Sequence, residues 1–264
     1  MALIRALSGG GGGNIFIGST VLPTDSVATW LYCAGIYDKN YSTLAQVIAD
    51  TTTLFNVVNN NNASDYLVRS LSFVSTICAD NTAMSYIGAN NYCSDKLLSD
   101  NTWLSAIYNS SYYASVLNFS VPIMSSNYLP SGEVIRHTAY LDIYEAFNAF
   151  GGSTNYASGA GDCNGAYIGY KNTTSLKLKV VKNKTFNTAE RFDNYIIQGS
   201  DTGQDGSWVD LSSNITTNAN ETKVTFLTNN NTNYVYHRLY NTAVRSGNVN
   251  VPNKGIQFYG RIDA

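Results

Sequence analysis

Hydrophobic and polar positions alternate in two different ways along the chain, and the change falls near Phe119 to Leu129. Ahead of it the apolar residues recur at helical spacing. "DTTTLFNVVNN" starts at Asp50, "DNTAMSYIGANN" at Asp80 and "DNTWLSAIYNSS" at Asp100. Each opens on Asp, carries Leu54, Met84 or Leu104 at its fifth position, and Val57, Ile87 or Ile107 at its eighth. A spacing of three puts both apolar residues on one helical face. The leading Asp is a good N-cap because its carboxylate accepts from the first free backbone N–H groups, a contribution of about 1 kcal/mol. The Asn-rich tails are expected to stop each helix. Between the first two units, Ser64 to Ala79 reads as one more helix with a stripe of Leu67, Leu71, Val74 and Ile77. Helices this short are marginal alone in water, so they must stack on one another or on other chains. The repeat starts are 30 and 20 residues apart, which predicts an irregular small bundle rather than a long solenoid.

Beyond Val121 the period becomes two. "AYIGYKN" (166–172), "SLKLKVVK" (175–182), "YIIQGS" (195–200), "SWVDL" (207–211), "KVTFLT" (223–228), "YVYHRLYNTAV" (234–244) and "GIQFYGR" (255–261) read as short strands separated by turns. In the second, Leu176, Leu178 and Val180 are expected on a buried face and Lys177 and Lys179 on a solvated one. Trp208 alternates with Val209 and Leu211 and is expected in the core. His237 reads as a sheet-face residue. Many short strands without helices between them predict an antiparallel sandwich. The fold class is therefore α+β, with a short-helix region followed by an antiparallel β-sandwich. The boundaries are 1–20 for a glycine-rich arm, 21–120 for the helices and 121–264 for the sandwich.

Composition narrows the function. Only 13% of the 264 residues are charged, about half the usual share, and Asn, Ser, Thr and Tyr take their place. Neutral polar surfaces of this kind suit sugars or other subunits. The net charge of −2 offers no basic stripe for nucleic acid. No apolar run approaches the ~20 residues of a membrane span. Cys33, Cys78, Cys93 and Cys163 form no CxxC pair and read as buried thiols rather than ligands or a disulfide framework, although Cys78 and Cys93 could meet if neighbouring helices pack. The run "SGGGGG" after "MALIRAL" is either a flexible terminus or an arm that docks Ala2 to Leu7 into an assembly.

Three chemistries come into question. "DTGQDG" from Asp201 shares the opening of an EF-hand loop, but Gly203 and Ser212 stand where that loop needs oxygen ligands, so a tight polar turn is expected. His137 lies near Asp142 and Glu145 without a nucleophile motif. Glu133, Asp142, Glu145, Asp162 and Glu190 could pair for glycoside hydrolysis, but no motif gathers them. No metal, cofactor or catalysis is expected. Surface recognition remains. The loop Gly151 to Gly165 and the segment Asn183 to Asp193 supply Asn155, Tyr156, Asp162, Asn164 and Arg191 as candidate ligand contacts, combining an aromatic face with amide, carboxylate and guanidinium groups suited to ring stacking and hydroxyl recognition.

Two resemblances sharpen this. "AFNAFGG", "GAYIGYKN", "SLKLKVV", "YIIQGSDTGQDGSWVDL", "YVYHRLY" and "IQFYGR" resemble, in order and spacing over roughly residues 135–262, the strands of discoidin-like domains (coagulation factor 5/8 C-type, galactose-binding fold). That family implies an eight-stranded jelly-roll sandwich binding carbohydrate through loops at one end. The structural calcium of some members finds no ligand set in this sequence. "DNTAMSYIGANN" and "DNTWLSAIYNSS" resemble short repeats of bacteriophage tail-fibre and virion appendage proteins. This second resemblance implies a head or tail fibre on the virion surface. It would be a homotrimer burying its helices between chains, attached to capsid or tail proteins through the N-terminal arm, with a host surface glycan as target. A purely structural connector, or a glycan-degrading enzyme with an accessory sandwich, is the alternative.

Overall fold

The computed structural model describes residues 4–5, 15–17, 20–23, 25–137, 145–151, 156–157, 165–185, 192–243 and 252–263. They separate into two compact units that meet in sequence between Leu117 and Asn118.

The first unit opens with three short antiparallel strands, β1 (Ile4–Arg5), β2 (Ile15–Ile17) and β3 (Thr20–Leu22). The apolar residues either side of the glycine run thus pair with one another, where the sequence predicts only an arm. The helices come next: α1 (Val27–Cys33), α2 (Leu44–Ala49), α3 (Thr51–Val58), α4 (Asn61–Leu67), α5 (Val74–Cys78), α6 (Asn81–Ala89), α7 (Asn91–Leu98) and α8 (Asn101–Asn109). Single 3₁₀ turns at Leu71–Phe73 and Tyr113–Ser115 complete them.

The expected caps are in place. Asp50, Asp80 and Asp100 each accept from backbone N–H groups of the first turn. The period is finer than the sequence suggests. Asn60 and Asn90 cap α4 and α7 in the same way, and Ser70 precedes the Leu71–Phe73 turn. Helix starts therefore recur at 50, 60, 70, 80, 90 and 100. The Asn tails expected to stop one helix begin the next. The long helix expected over Ser64 to Ala79 is broken at this decad boundary, and Leu71 is 51% exposed instead of lying in the apolar stripe. Within each decad the third, fourth and seventh residues beyond the cap are buried, as in Leu54 and Val57, Met84 and Ile87, and Leu104 and Ile107.

Consecutive helices pack together from α2 to α4 and from α5 to α8. In addition α1 packs on α4, α3 on α6, α4 on α7 and α5 on α8, while α6 packs on the Tyr113–Ser115 turn. The chain thus completes a turn every three helices. The irregular bundle gives way to a regular winding, because every decad offers the same two apolar stripes. Polar ties join successive turns: Trp30 Nε1 donates to Ala63 O (3.1 Å), Asn90 Nδ2 to Asn59 Oδ1 (2.8 Å), Trp103 Nε1 to Val68 O (3.2 Å), and Lys96 pairs with Asp65 (2.8 Å). Cys33, Cys78 and Cys93 are buried thiols rather than disulfide partners of one another. Burial pushes those of Cys33 and Cys78 up to about 11. Asp80→Ala removes the acceptor 2.8 Å from Ala83 N and is expected to lower stability by about 1 kcal/mol, read from urea unfolding followed by far-UV circular dichroism.

The second unit is the expected antiparallel sandwich. Its elements are β4 (Phe119–Ser120), β5 (Glu133–Arg136), α9 (Asn148–Gly151), β6 (Tyr156–Ala157), β7 (Tyr167–Thr185), β8 (Asn194–Ser200), β9 (Val209–Asp210), β10 (Ile215–Thr216), β11 (Thr222–Phe226), β12 (Tyr234–Asn241) and β13 (Pro252–Arg261). The segments expected as separate strands at 166–172 and 175–182 are one strand, β7, that serves both sheets. Its first half pairs with β5 and β12, and β12 with β8, which carries β9 and β10. Its second half pairs with β11 and β13, and β13 with β4 and β6. The inner faces meet in one apolar cluster that includes Ile168, Tyr170, Leu178, Ile197, Leu239, Phe150 and Phe258.

The expectation of two solvated lysines on β7 fails. The pairing with β13 slips between Tyr259 and Gly260, which face Val180 and Leu178, so Lys179 sits in a bulge. A bulge reverses which side chains face inward, so Val181 joins the cluster with Leu176 and Leu178, and Val180 is buried as expected. Lys177 and Lys179 are buried, not solvated. The Lys177 ammonium pairs with Asp263 at 3.0 Å and that of Lys179 donates to Asn231 Oδ1 at 3.1 Å, so neither cation is left bare.

Candidate functional site

The outer face of the β5–β7–β12–β8 sheet carries the site. Along β12 the residues alternate: His237 and Leu239 point inward, Tyr236, Arg238 and Tyr240 outward. The register sets Arg238 opposite Gln198 of β8 and Gly169 of β7, and Tyr240 opposite Tyr167. Gly169 leaves the space in which Arg238 lies, since a Cβ there would come within 2.7 Å of Arg238 Cβ and 2.2 Å of His237 O.

The Arg238 guanidinium is surrounded by rings. Its central carbon is 3.8 Å from the Trp208 ring centre, 4.8 Å from that of Tyr167 and 4.7 Å from that of Tyr240, all within cation–π range. Its Nε donates to Gln198 Oε1 (2.8 Å), and Gln198 Nε2 donates to Asp210 Oδ1 (2.7 Å), which fixes the plane of the group. Burial draws its pKa down from the ordinary arginine value. The row continues on both sides. His137 meets Tyr167 edge-on at 5.9 Å, Trp208 meets Tyr236 edge-on at 6.5 Å, and Lys171 Nζ lies 5.5 Å over the Tyr236 ring while pairing with Glu133 at 3.5 Å. His137, Gly165, Tyr167, Gln198, Asp205, Gly206, Trp208, Arg238 and Tyr240 line an open cleft of about 530 Å³, a volume in the range of small-molecule sites.

The turn that brings Trp208 here is the polar one expected from the sequence. Ser200 Oγ accepts from Thr202 N and Gly203 N, and Ser207 Oγ bonds both Ser200 Oγ and Thr202 Oγ1. Gly203 sits at φ 71°, where a glycine is favoured. Trp208 itself is a correction. It is not in the core but half-buried on the outer face. β9 is a two-residue edge strand whose Val209 is 47% exposed, so alternation there does not separate core from solvent. Only Leu211 reaches the core. Arg238, rather than the core, covers the indole. His237 is a buried sheet residue, as expected.

The sequence-predicted contacts fare differently. Tyr156 begins β6, whose backbone pairs with β13 in the other sheet. Asn155, Asp162, Asn164 and Arg191 lie outside the described residues, as do Cys163, Asp142 and Glu190. Gly165, the last residue of the predicted loop, does line it. Asn183 to Thr185, expected in a loop, belong to β7. Of the carboxylates considered for hydrolysis, Glu133 pairs with Lys171 and Glu145 with Arg136 (3.3 Å). Sequence reasoning misses Arg238 and Tyr167. The aromatic-rich "YVYHRLY" holds Arg238 and "AYIGYKN" holds Tyr167, and both read only as strands.

Aromatic faces stack on the C–H faces of a sugar, and a fixed planar guanidinium with a nearby carboxylate offers donors and acceptors for its hydroxyls. A scan of protein-family models gives no match, and no curated protein matches the sequence. Solved structures do show likeness over the second half of the chain. Chitosan-binding module 1 of a chitosanase/glucanase from Paenibacillus sp. IK-5 is 20% identical, over 52% of this chain and 97% of that one, with a TM-score of 0.40. The third carbohydrate-binding module of family 32 from a family 31 glycoside hydrolase of Clostridium perfringens is 18% identical, over 48% and 91%, with a TM-score of 0.40. An F5/8 type C domain from Bacteroides fragilis is 13% identical, over 48% and 89%, with a TM-score of 0.39. At such scores the cleft has to be read from its own residues.

Proposed function

We propose that the sandwich is a non-catalytic carbohydrate-binding module and that the cleft between Trp208 and Tyr167 is its binding site. The observation that carries this is the cluster of Trp208, Tyr167 and Tyr240 around Arg238, held on a rigid sheet and open to solvent. Sites on strands keep their geometry better than sites on loops. The row from His137 to Lys171 gives room for more than one sugar ring.

The same proposal places the chain on a virion surface, as part of a head or tail fibre. The capped decad repeat is the support for this: a winding of similar short helices suits a spacer. Attachment to capsid or tail proteins is assigned to the N-terminal segment. The helices bury their stripes on one another within a single chain, so the sequence argument for a trimer from unsatisfied helices falls away.

A glycan array with the intact protein and Trp208→Ala tests the site. Wild type is expected to select a defined set of glycans, and the variant to lose them by at least about tenfold, since stacking on one aromatic ring contributes about 1–1.5 kcal/mol or more in a cleft. Unchanged binding by the variant would remove the cleft from the mechanism. Electron microscopy of particles labelled with an antibody to the sandwich tests the location.

A further inference from the structure

The charges in the cleft select among sugars, an inference that rests on the glycan-binding reading. Arg238 is only 7% exposed. Among the described residues it has no carboxylate within ion-pair distance and one hydrogen bond, from Nε to Gln198. Its terminal amino groups have no acceptor there. Asp210 Oδ1 accepts from Gln198, and Asp205 acts on the guanidinium only at longer range. A largely buried cation without a direct counter-ion is an unfinished electrostatic arrangement. Trp208 adds a second unfinished group, for its Nε1 is buried and without a hydrogen-bond partner among the described residues. Two donor sets in one cleft therefore await an acceptor.

The geometry of these donors selects the acceptor. Aromatic rings lie over the guanidinium and Gln198 holds its Nε, which leaves the edge formed by the terminal amino groups. A carboxylate meets such an edge in plane, with two parallel charge-assisted hydrogen bonds. We infer that the cleft recognises an acidic glycan, the carboxylate of a uronic- or sialic-type sugar accepting from the Arg238 terminal amino groups and Trp208 Nε1 while the sugar ring stacks on the surrounding aromatic faces. Exposed Asp205 at the mouth accepts from the sugar's hydroxyls and disfavours a second negative charge, so the site takes one carboxylated residue rather than a dense polyanion.

Calorimetry of the intact protein against a matched series tests this: a carboxylated oligosaccharide, its methyl ester, its reduced neutral counterpart and a sulfated analogue. The acid is expected to bind at least tenfold more tightly than the other three. Because the comparison varies the ligand alone, it holds even if variants fail to fold. Arg238→Lys keeps the charge and loses the fork, and is expected to cut the preference for acid over ester by at least fivefold while the thermal midpoint is retained. Equal binding of acid and ester, or of acid and sulfate, overturns the carboxylate assignment and leaves glycan binding standing. A preference unchanged in a folded Arg238→Lys variant overturns the assignment to this cleft. If no glycan of any class binds, here or on the array, this inference and the reading beneath it both fall.

Discussion

Gly88→Ala is expected to unfold the helical unit at markedly lower temperature than wild type. Gly88 lies in α6, where the helix meets the Tyr113–Ser115 turn. A methyl group there would stand 1.8 Å from Ser115 O and 2.7 Å from Ser115 C. Both atoms are backbone, so no rotamer change relieves the clash, and the contact between successive turns of the winding has to open. Alanine has the better helix propensity by about 1 kcal/mol, so the local preference favours the variant and any loss comes from packing. Overpacking of this kind costs about 3 kcal/mol, which lowers the midpoint by roughly 10 °C in a unit of this size. Circular dichroism at 222 nm follows the helices while the β-sheet amide I infrared band follows the sandwich. The helical transition is expected to move and the other to stay. A melt within about 2 °C of wild type would mean that the two segments do not approach as closely as described.

The second large effect is a loss of stability in mild acid that traces to His237. Its ring is fully buried on the inner side of β12. Nδ1 lies 3.0 Å from Asn172 Nδ2, which donates to it, so the ring proton is on Nε2, and Nε2 has no partner among the described residues. Burial pulls the pKa down from 6.5 to about 3. In the unfolded chain the imidazole takes up a proton below about 6.5, while the folded protein refuses it until about 3. The unfolded state then binds more protons, and stability falls as the pH drops through that window, by about 1.4 kcal/mol per unit once well below 6.5. Between pH 7 and pH 5 the loss is about 2 kcal/mol. Urea unfolding of the sandwich at the two pH values measures it. His237→Gln cannot titrate, so its stability is expected to change by about 2 kcal/mol less over the same interval. An equal slope in both proteins would show that His237 is not the group responsible.

How much of this is legible beforehand depends on how local each signal is. The Asp caps and the apolar pair behind each are legible because a helix start is written within four residues. The full ten-residue period is partly hidden, since Asn60, Asn90 and Ser70 hold positions that Asp holds elsewhere, and asparagine also reads as a terminator. In the sandwich, most strands are legible from alternation, but the bulge at Lys179 is not. Nothing in "SLKLKVVK" shows that β13 slips there, and with it the inward face. The cleft is the least legible part. Tyr167, Gln198, Trp208 and Arg238 come from four segments that only the pairing of β7, β12 and β8 brings together, so no local motif contains them. Glycine-rich loops, where ligand contacts commonly lie, carry the louder signal in the sequence.

The decad winding also constrains how this chain can change in length. A stretch of ten residues adds one facet. Three such stretches restore the original angular setting, because the same side faces outward after every third helix. Gains or losses that are not whole facets would turn each downstream stripe away from the partner it packs on. The winding can therefore be lengthened or trimmed only in quanta, and its internal stacking is recovered at every full revolution.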